Sequence, residues 1–84
     1  MKPVTLFYQP RCPFCKKALR YIEEARAAHR IEIRMIDELA EPEVADRYDY
    51  YYVPTFYVGD KKVHEGGIMP DEVEAVLRMA LDER

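Results

Sequence analysis

The sequence predicts an α/β fold with the element order β-α-β-α-β-β-α. Three observations predict it. A short run that is apolar on both faces, Val4-Thr5-Leu6-Phe7-Tyr8, is followed by a helical period from Lys16 to Ala28 and then by a second strand, Ile31 to Ile36; strand, long helix and strand make a βαβ unit with parallel strands and a right-handed crossover. Two further strand-like runs, Thr55-Phe56-Tyr57-Val58 and Lys62-Val63-His64, bracket Gly59-Asp60-Lys61, a hairpin signal. Val73, Val76, Leu77, Ala80 and Leu81 repeat at i, i+3, i+4, i+7 and i+8, the stripe of a packed amphipathic helix.

Taken in order, the first strand suits a central position because both of its faces are apolar. Gln9-Pro10-Arg11 ends it. The first helix sets Cys15, Leu19 and Ile22 along one stripe with Ala18 and Ala25 beside it, while Lys17, Arg20, Glu24 and Arg26 fall on wetter positions. Ala27-Ala28-His29-Arg30 closes it with positive charge at the favourable end of the helix dipole. Ile31 to Ile36 alternates apolar and charged residues until its last pair, as in a strand with one polar face. Asp37-Glu38 and the stretch Ala40-Glu41-Pro42-Glu43 mark a turn into a short helix from about Pro42 to Tyr48, with Val44 and Ala45 inward. Gly66-Gly67 forms a corner. Pro70 suits the first turn of the last helix, and Asp71 and Glu72 suit its N-terminus.

Composition narrows the class of function. The 84 residues suit one small domain, residues 1–84, with one core. A net charge of −3 argues against a general binder of nucleic acid or of anionic membrane. No apolar run approaches the ~20 residues of a membrane-spanning helix, and Met1-Lys2-Pro3-Val4-Thr5 runs into a strand with no signal-peptide pattern. Two cysteines do not make a secreted disulfide framework, so a cytoplasmic, reducing setting is expected.

Those two cysteines carry the chemistry. Arg11-Cys12-Pro13-Phe14-Cys15-Lys16-Lys17 places a C-x-x-C motif after a strand and at the start of a helix, the context of a dithiol redox centre. A thiol there faces unpaired backbone N–H groups and the positive end of the helix dipole, and both favour the thiolate that attacks disulfides. Arg11, Lys16 and Lys17 add positive charge. Pro13, with no N–H and a fixed φ, fits the first turn. Cys12 is the expected exposed nucleophile and Cys15 the expected resolving thiol. The alternative reading is a metal- or iron–sulfur-cluster-binding module with the cysteines as ligands. A closed zinc site needs four ligands, and His29 and His64, the only histidines, lack ligand-like spacing. No metal site and no bound cofactor are therefore assigned. His64 reads as a strand residue, Lys17 as part of a solvated helix start, Asp71 as charge at a helix start, and the cluster Tyr48, Tyr50, Tyr51 and Tyr52 mainly as packing at a half-covered surface.

Over nearly its whole length the chain resembles the thioredoxin superfamily, and within it the small glutaredoxin-like proteins. Cys12-Pro13-Phe14-Cys15 after the first strand, Val53-Pro54 before the hairpin and Gly66-Gly67 before the last helix carry the resemblance. It implies a central four-stranded mixed sheet with helices on both faces, and a dithiol–disulfide oxidoreductase acting in electron transport and cell redox homeostasis. It also implies a reversible Cys12–Cys15 disulfide, protein disulfides or glutathione mixed disulfides as substrates, and a monomer. A cis bond between Val53 and Pro54 is implied as well, although most X–Pro bonds are trans. Such a bond would leave the Val53 backbone free to pair with an extended peptide or with glutathione. Arg11, Pro13, Phe14, Tyr52, Val53, Pro54 and Gly67 form the expected substrate-binding set.

The chain departs from the glutaredoxin pattern at several places. Phe14 stands where a tyrosine is usual, Gln9 where a lysine often pairs with a glutathione carboxylate, and Tyr52 where threonine precedes Val-Pro. Ile68-Met69-Pro70 intervenes before Asp71, which displaces the acid that holds the glutathione amino end. The stretch Gly67 to Asp71 is similar to redoxins that draw electrons from thioredoxin reductase, and there is no tryptophan. Either glutathione or a thioredoxin-reductase-type flavoenzyme is the expected electron donor.

Overall fold

A computed structural model of the chain describes residues 2–26, 29 and 31–81. Its elements are β1 (Val4–Tyr8), α1 (Pro13–Arg26), β2 (Ile33–Asp37), α2 (Pro42–Ala45), β3 (Thr55–Val58), β4 (Lys61–Glu65) and α3 (Pro70–Leu81). They form a four-stranded sheet in the order β2-β1-β3-β4. β1 pairs parallel with β2 and antiparallel with β3, and β3 pairs antiparallel with β4. The thioredoxin-like mixed sheet with three helices is thus present.

The run that is apolar on both faces does lie centrally. Val4, Leu6 and Phe7 of β1 are fully buried and Thr5 nearly so. Val4 and Leu6 face a core built with Ala18 and Ile22 of α1, Phe56 and Val58 of β3, and Val73, Val76, Leu77 and Ala80 of α3. Phe7 faces the opposite side, where Ile36, Ala45 and Tyr57 are buried with it and Val44, Tyr48 and Tyr50 pack against them. There its ring lies 4.6 Å from Tyr48, 4.9 Å from Tyr50 and 5.7 Å from Tyr57, between ring centroids. This divides the tyrosine cluster. Tyr48 and Tyr50 lie against the sheet, while Tyr51 and Tyr52 are exposed.

Several boundaries differ from the sequence expectation, each for a physical reason. α1 begins at Pro13, the residue expected in its first turn, three residues ahead of the period that starts at Lys16. Pro13 sits at the first helical position, where its missing N–H leaves nothing unpaired, and the Lys16 N–H already donates to the Cys12 carbonyl at 2.9 Å. Ala27, Ala28 and Arg30, expected to close this helix, lie outside the described residues. β2 starts at Ile33, not Ile31. Ile31 is buried in the α1–α3 core, but the pairing with β1 begins with Val4 opposite Ile33. α2 stops at Ala45 rather than reaching Tyr48. The Arg47 and Tyr48 N–H groups donate to Val44 and Ala45, three residues back, so the chain tightens out of the α period. β4 extends one residue beyond the expected run at each end, with a β-bulge beside Phe56 and Tyr57. Gly59 alone needs its special freedom in the intervening turn, at φ +63°.

The edge of the sheet beyond β1 is where the chain converges. Tyr8 at the end of β1 lies opposite Asp37 at the end of β2, and Phe7 lies opposite Thr55 at the start of β3. Thr55 in turn lies opposite Glu65 at the end of β4. Residues 9–15, Glu38, residues 51–54 and Gly66-Gly67 therefore leave or enter the sheet at one edge.

α3 gives a direct test of the core. Of its expected stripe, Val73, Val76, Leu77 and Ala80 are buried, but Leu81, the last residue of the helix, is 45% exposed. Leu77→Ala should cost about 2–5 kcal/mol, as for other buried leucines, whereas Leu81→Ala should stay within about 0.5 kcal/mol of wild type. Chemical denaturation of the two variants checks this; equal costs would contradict the placement of Leu81.

Candidate functional site

The C-x-x-C motif occupies the turn from β1 into α1. The Cys12 N–H donates to the Gln9 carbonyl at 3.2 Å, closing that turn. The Cys15 N–H, one of the helix's initial unpaired donors, points at Cys12 Sγ at 3.3 Å. Both cysteines are free thiols. Cys12 is half-buried, whereas Cys15 has no exposed surface. The residue at the helix N-terminus is thus partly accessible, and the second cysteine is enclosed.

The environment of Cys15 keeps it protonated. Burial is the largest cause of its thiol being pushed up to about 12. The Gln9 N–H, donating to Cys15 Sγ at 3.5 Å, works against that shift. Hydrogen bonding and charge from Cys12, and the negative charge of Glu38, add to it. Glu38 is held beside the site by three contacts. Its N–H donates to the Tyr8 carbonyl at 3.0 Å, the Tyr50 hydroxyl donates to its Oε1 at 2.6 Å, and the Gln9 side-chain amide donates to its Oε2. Burial first, and then that bond to Glu38, push the Tyr50 hydroxyl above the usual phenol range. Gln9 therefore contributes its backbone to both cysteines and its side chain to a carboxylate.

Beside the cysteines runs the segment before β3. The Val53–Pro54 bond is cis, as the resemblance implies. Pro54 is buried and Val53 half-buried. The Pro54 carbonyl accepts from the Gly66 N–H at 2.8 Å, and the Thr55 hydroxyl donates to the Tyr52 carbonyl. Among the described residues, no hydrogen-bond partner meets the Val53 backbone N–H or C=O. Tyr52 is 70% exposed and Phe14, on the first turn of α1, 58% exposed.

The expected substrate-binding residues are not all placed alike. Pro13, Phe14, Val53 and Pro54 lie at the edge where the chain converges. Tyr52 is there too, with its ring outward. Arg11 is exposed in the turn before Cys12, and no ion-pair partner meets it among the described residues. Gly67 lies against Phe14. A Cβ added at Gly67 would come 3.2 Å from Phe14 Cδ1, so the glycine provides room for that ring. Lys16 and Lys17 are exposed. Asp71 is exposed in the first turn of α3, where its neighbour Glu72 does the capping by accepting the Met69 N–H at 3.0 Å. The histidines are elsewhere. His29 pairs with Glu74 at 2.6 Å, and His64, in β4, reaches the Gly67 carbonyl at 2.8 Å. Among the described residues, no group of three or more His, Cys, Asp or Glu side chains is arranged to hold a metal ion.

Sequence reasoning passed over Glu38 and Glu65. Glu38 appeared only as a turn marker, and Glu65 as nothing in particular. Glu65 Oε2 accepts the backbone N–H groups of Tyr51 at 2.5 Å and Tyr52 at 2.9 Å, while its Oε1 meets Lys62 Nζ at 2.8 Å. The Lys62 ammonium first, and then the Tyr51 N–H, hold its carboxyl at about 2. No local signal marks either glutamate, since Glu38 lies 29 residues from Gln9 and Glu65 lies 14 and 13 residues from its two N–H partners.

Comparison with known proteins agrees with this architecture. The thioredoxin-domain family profile matches residues 2–78. Among solved structures, the chain is similar to mitochondrial thioredoxin 3 of Saccharomyces cerevisiae in its oxidised form, at 21% identity and a TM-score of 0.72, over 98% of this chain and 78% of that one. It is similar to reduced desulfothioredoxin of Desulfovibrio vulgaris Hildenborough, at 29% identity and a TM-score of 0.66, over 93% and 80% of the two chains. It is also similar in fold to a malarial protein, at 14% identity and a TM-score of 0.75, over 94% and 96%. Among curated proteins, none matches the chain.

The contrast between the two sulfurs predicts their labelling. A short iodoacetamide pulse on reduced protein near neutral pH, followed by peptide mapping, should label Cys12 first. In Cys12→Ser, alkylation of Cys15 should remain slow across roughly pH 7 to 9, because burial, the largest cause of its raised proton affinity, does not depend on Cys12 and also shields the sulfur from the reagent. Prompt labelling of Cys15 in native protein would contradict its burial.

Proposed function

This chain belongs to the thioredoxin-domain family and has a thioredoxin-type redox function, and from that premise we propose that it is a dithiol–disulfide oxidoreductase acting through Cys12 and Cys15. One observation carries the reading. Cys12 is half-buried at the N-terminus of α1 with the Cys15 N–H aimed at its Sγ, and Cys15, one helical turn on, is fully buried.

In the proposed cycle the Cys12 thiolate attacks one sulfur of a substrate disulfide. A mixed disulfide forms and the first substrate thiolate leaves. The Cys15 sulfur then attacks Cys12 Sγ, which forms the Cys12–Cys15 disulfide and releases the second substrate thiolate. The Cys15 proton ends on that departing group. Two electrons have passed to the substrate, and a donor must return them to the protein disulfide. Cys15 stays a thiol until the mixed disulfide brings a leaving group to it, so its high proton affinity limits attack outside the cycle. The substrate backbone pairs with Val53 as an added strand, with Phe14 and Tyr52 as exposed aromatic contacts beside it. Arg11 stands at the rim, where it can meet an acidic group. Protein disulfides are the proposed substrates. The proposed setting is reducing and cytoplasmic, in keeping with the use of only two cysteines. Among the described residues, no helix is long and apolar enough to cross a membrane.

For the donor we propose a thioredoxin-reductase-type flavoenzyme in preference to glutathione. The side chain at Gln9 is neutral and already donates to Glu38, so it offers no cation to a glutathione carboxylate. A lost charged hydrogen bond is worth about 1.5–3 kcal/mol, or roughly a ten- to hundredfold loss of affinity. Asp71, exposed on α3, is separated from Gly67 by Ile68, Met69 and Pro70.

Cys12→Ser should abolish disulfide reduction, whereas Cys15→Ser should accumulate a trapped mixed disulfide, visible as a mass adduct. NADPH-coupled assays offering the flavoenzyme alone, or glutathione with glutathione reductase, should give faster turnover with the flavoenzyme. Activity surviving in Cys12→Ser would overturn the reaction assigned here; fast turnover with glutathione and none with the flavoenzyme would overturn only the donor.

A further inference from the structure

The segment that carries Val53 is short and irregular, and its backbone is held from both sides. On the near side, Glu65 Oε2 accepts the N–H groups of Tyr51 and Tyr52 together, and the Thr55 hydroxyl holds the Tyr52 carbonyl. On the far side, the Gly66 N–H holds the Pro54 carbonyl. Only the N–H and C=O of Val53, between these two holds, are left to meet something else among the described residues. The holding groups come from the strand ends that the sheet brings together, since Thr55 opens β3 opposite Glu65, the last residue of β4.

We propose that the Glu65 carboxylate is a positioning residue for substrate docking: by fixing the Tyr51 and Tyr52 N–H groups it holds the loop so that the Val53 N–H and C=O stay available to pair with a peptide substrate. This rests on the oxidoreductase reading above and adds to it a residue that touches neither cysteine. A carboxylate suits the task because one oxygen can accept two backbone donors at once, and charge-assisted bonds of this kind are about twice as strong as neutral ones. Lys62 meets the other oxygen at 2.8 Å, so it can orient the carboxylate without occupying the oxygen that holds the loop. Ordering the loop before binding removes an entropic cost from the encounter, and removing the clamp returns that cost to each docking event. The effect should fall on substrates that present an extended backbone. It should spare small disulfides that offer nothing for Val53 to pair with.

The test uses the full chain, pre-reduced, in single-turnover reactions with two probes: a peptide containing a disulfide, and bis(2-hydroxyethyl) disulfide. For Glu65→Ala, the peptide concentration at half-maximal rate should rise about tenfold with the maximal rate little changed, the pattern of lost binding rather than lost chemistry. The rate with bis(2-hydroxyethyl) disulfide should stay within about twofold of wild type. Glu65→Gln keeps an acceptor oxygen at the same reach and should fall between wild type and Glu65→Ala. Lys62→Met leaves the loop's acceptor in place but removes the group that orients it, so its peptide half-saturation should lie between those of wild type and Glu65→Ala, with the rate for bis(2-hydroxyethyl) disulfide within about twofold of wild type. Unchanged peptide half-saturation in Glu65→Ala, or an equal loss with both probes, would overturn the inference. A wild-type protein that reacts with neither probe would instead overturn the oxidoreductase reading itself, so the two failures are distinguishable.

Discussion

The pairing of β1 on both of its edges is the constraint on which the rest depends. A parallel neighbour and an antiparallel neighbour together fix where four otherwise separate parts of the chain meet. The parallel partner ends beside the end of β1, the antiparallel partner begins there, and β4 ends opposite that beginning. The redox motif, Glu38, the cis-proline segment and the Gly66-Gly67 corner are brought to one edge by backbone hydrogen bonding, before any side chain in the site contributes. Because side chains alternate between faces along a strand, a slip of one residue in this register would turn Phe7 and Leu6 to the wrong sides. The two cores oppose such a slip, since Leu6 is committed to α1 and α3 and Phe7 to the tyrosines.

Around the cysteines, charge and burial divide the labour. Lysines and Arg11 are exposed near Cys12, while the buried Cys15 sulfur has a carboxylate in its surroundings. Gln9 stands between them: its main chain stabilises the Cys15 sulfur and its side chain occupies Glu38. The position where a relative would recruit glutathione with a cation is here part of the internal wiring of the site. Glu38 also ties the site to the far face of the sheet, through Tyr50 and from there to Phe7.

The tyrosines show how one local composition serves two purposes. Tyr48 and Tyr50 complete an aromatic cover on Phe7 and Tyr57, where a polar tip can still find a partner. Tyr51 and Tyr52 turn outward, and it is their backbone rather than their rings that Glu65 holds. α2, only four residues long, contributes the buried Ala45 and the half-buried Val44 to that face, and the rings of Tyr48, Tyr50 and Tyr57 cover it beside them.

What the sequence determined by itself was local or carried by a recognisable pattern. The bounds of β1 and β3 follow from dense apolar runs ended by turn residues, and α3 follows from its period. The position of Cys12 and Cys15 between strand and helix was legible because both flanking signals are strong. The cis bond at Pro54 was legible only through resemblance, since local energetics favour trans. Tertiary structure decided the rest. A hydrophobic period tells which face of a helix points inward but not how far along the helix the burial runs, so Leu81 kept the pattern and lost the burial. The early stop of α2 depends on how the chain must leave to lay Tyr48 on Phe7. Glu38 and Glu65 were invisible because their partners are distant in sequence, and a carboxylate becomes a clamp only when folding carries unpaired N–H groups to it. Such pairings are set by strand order and register, which no local window of residues encodes.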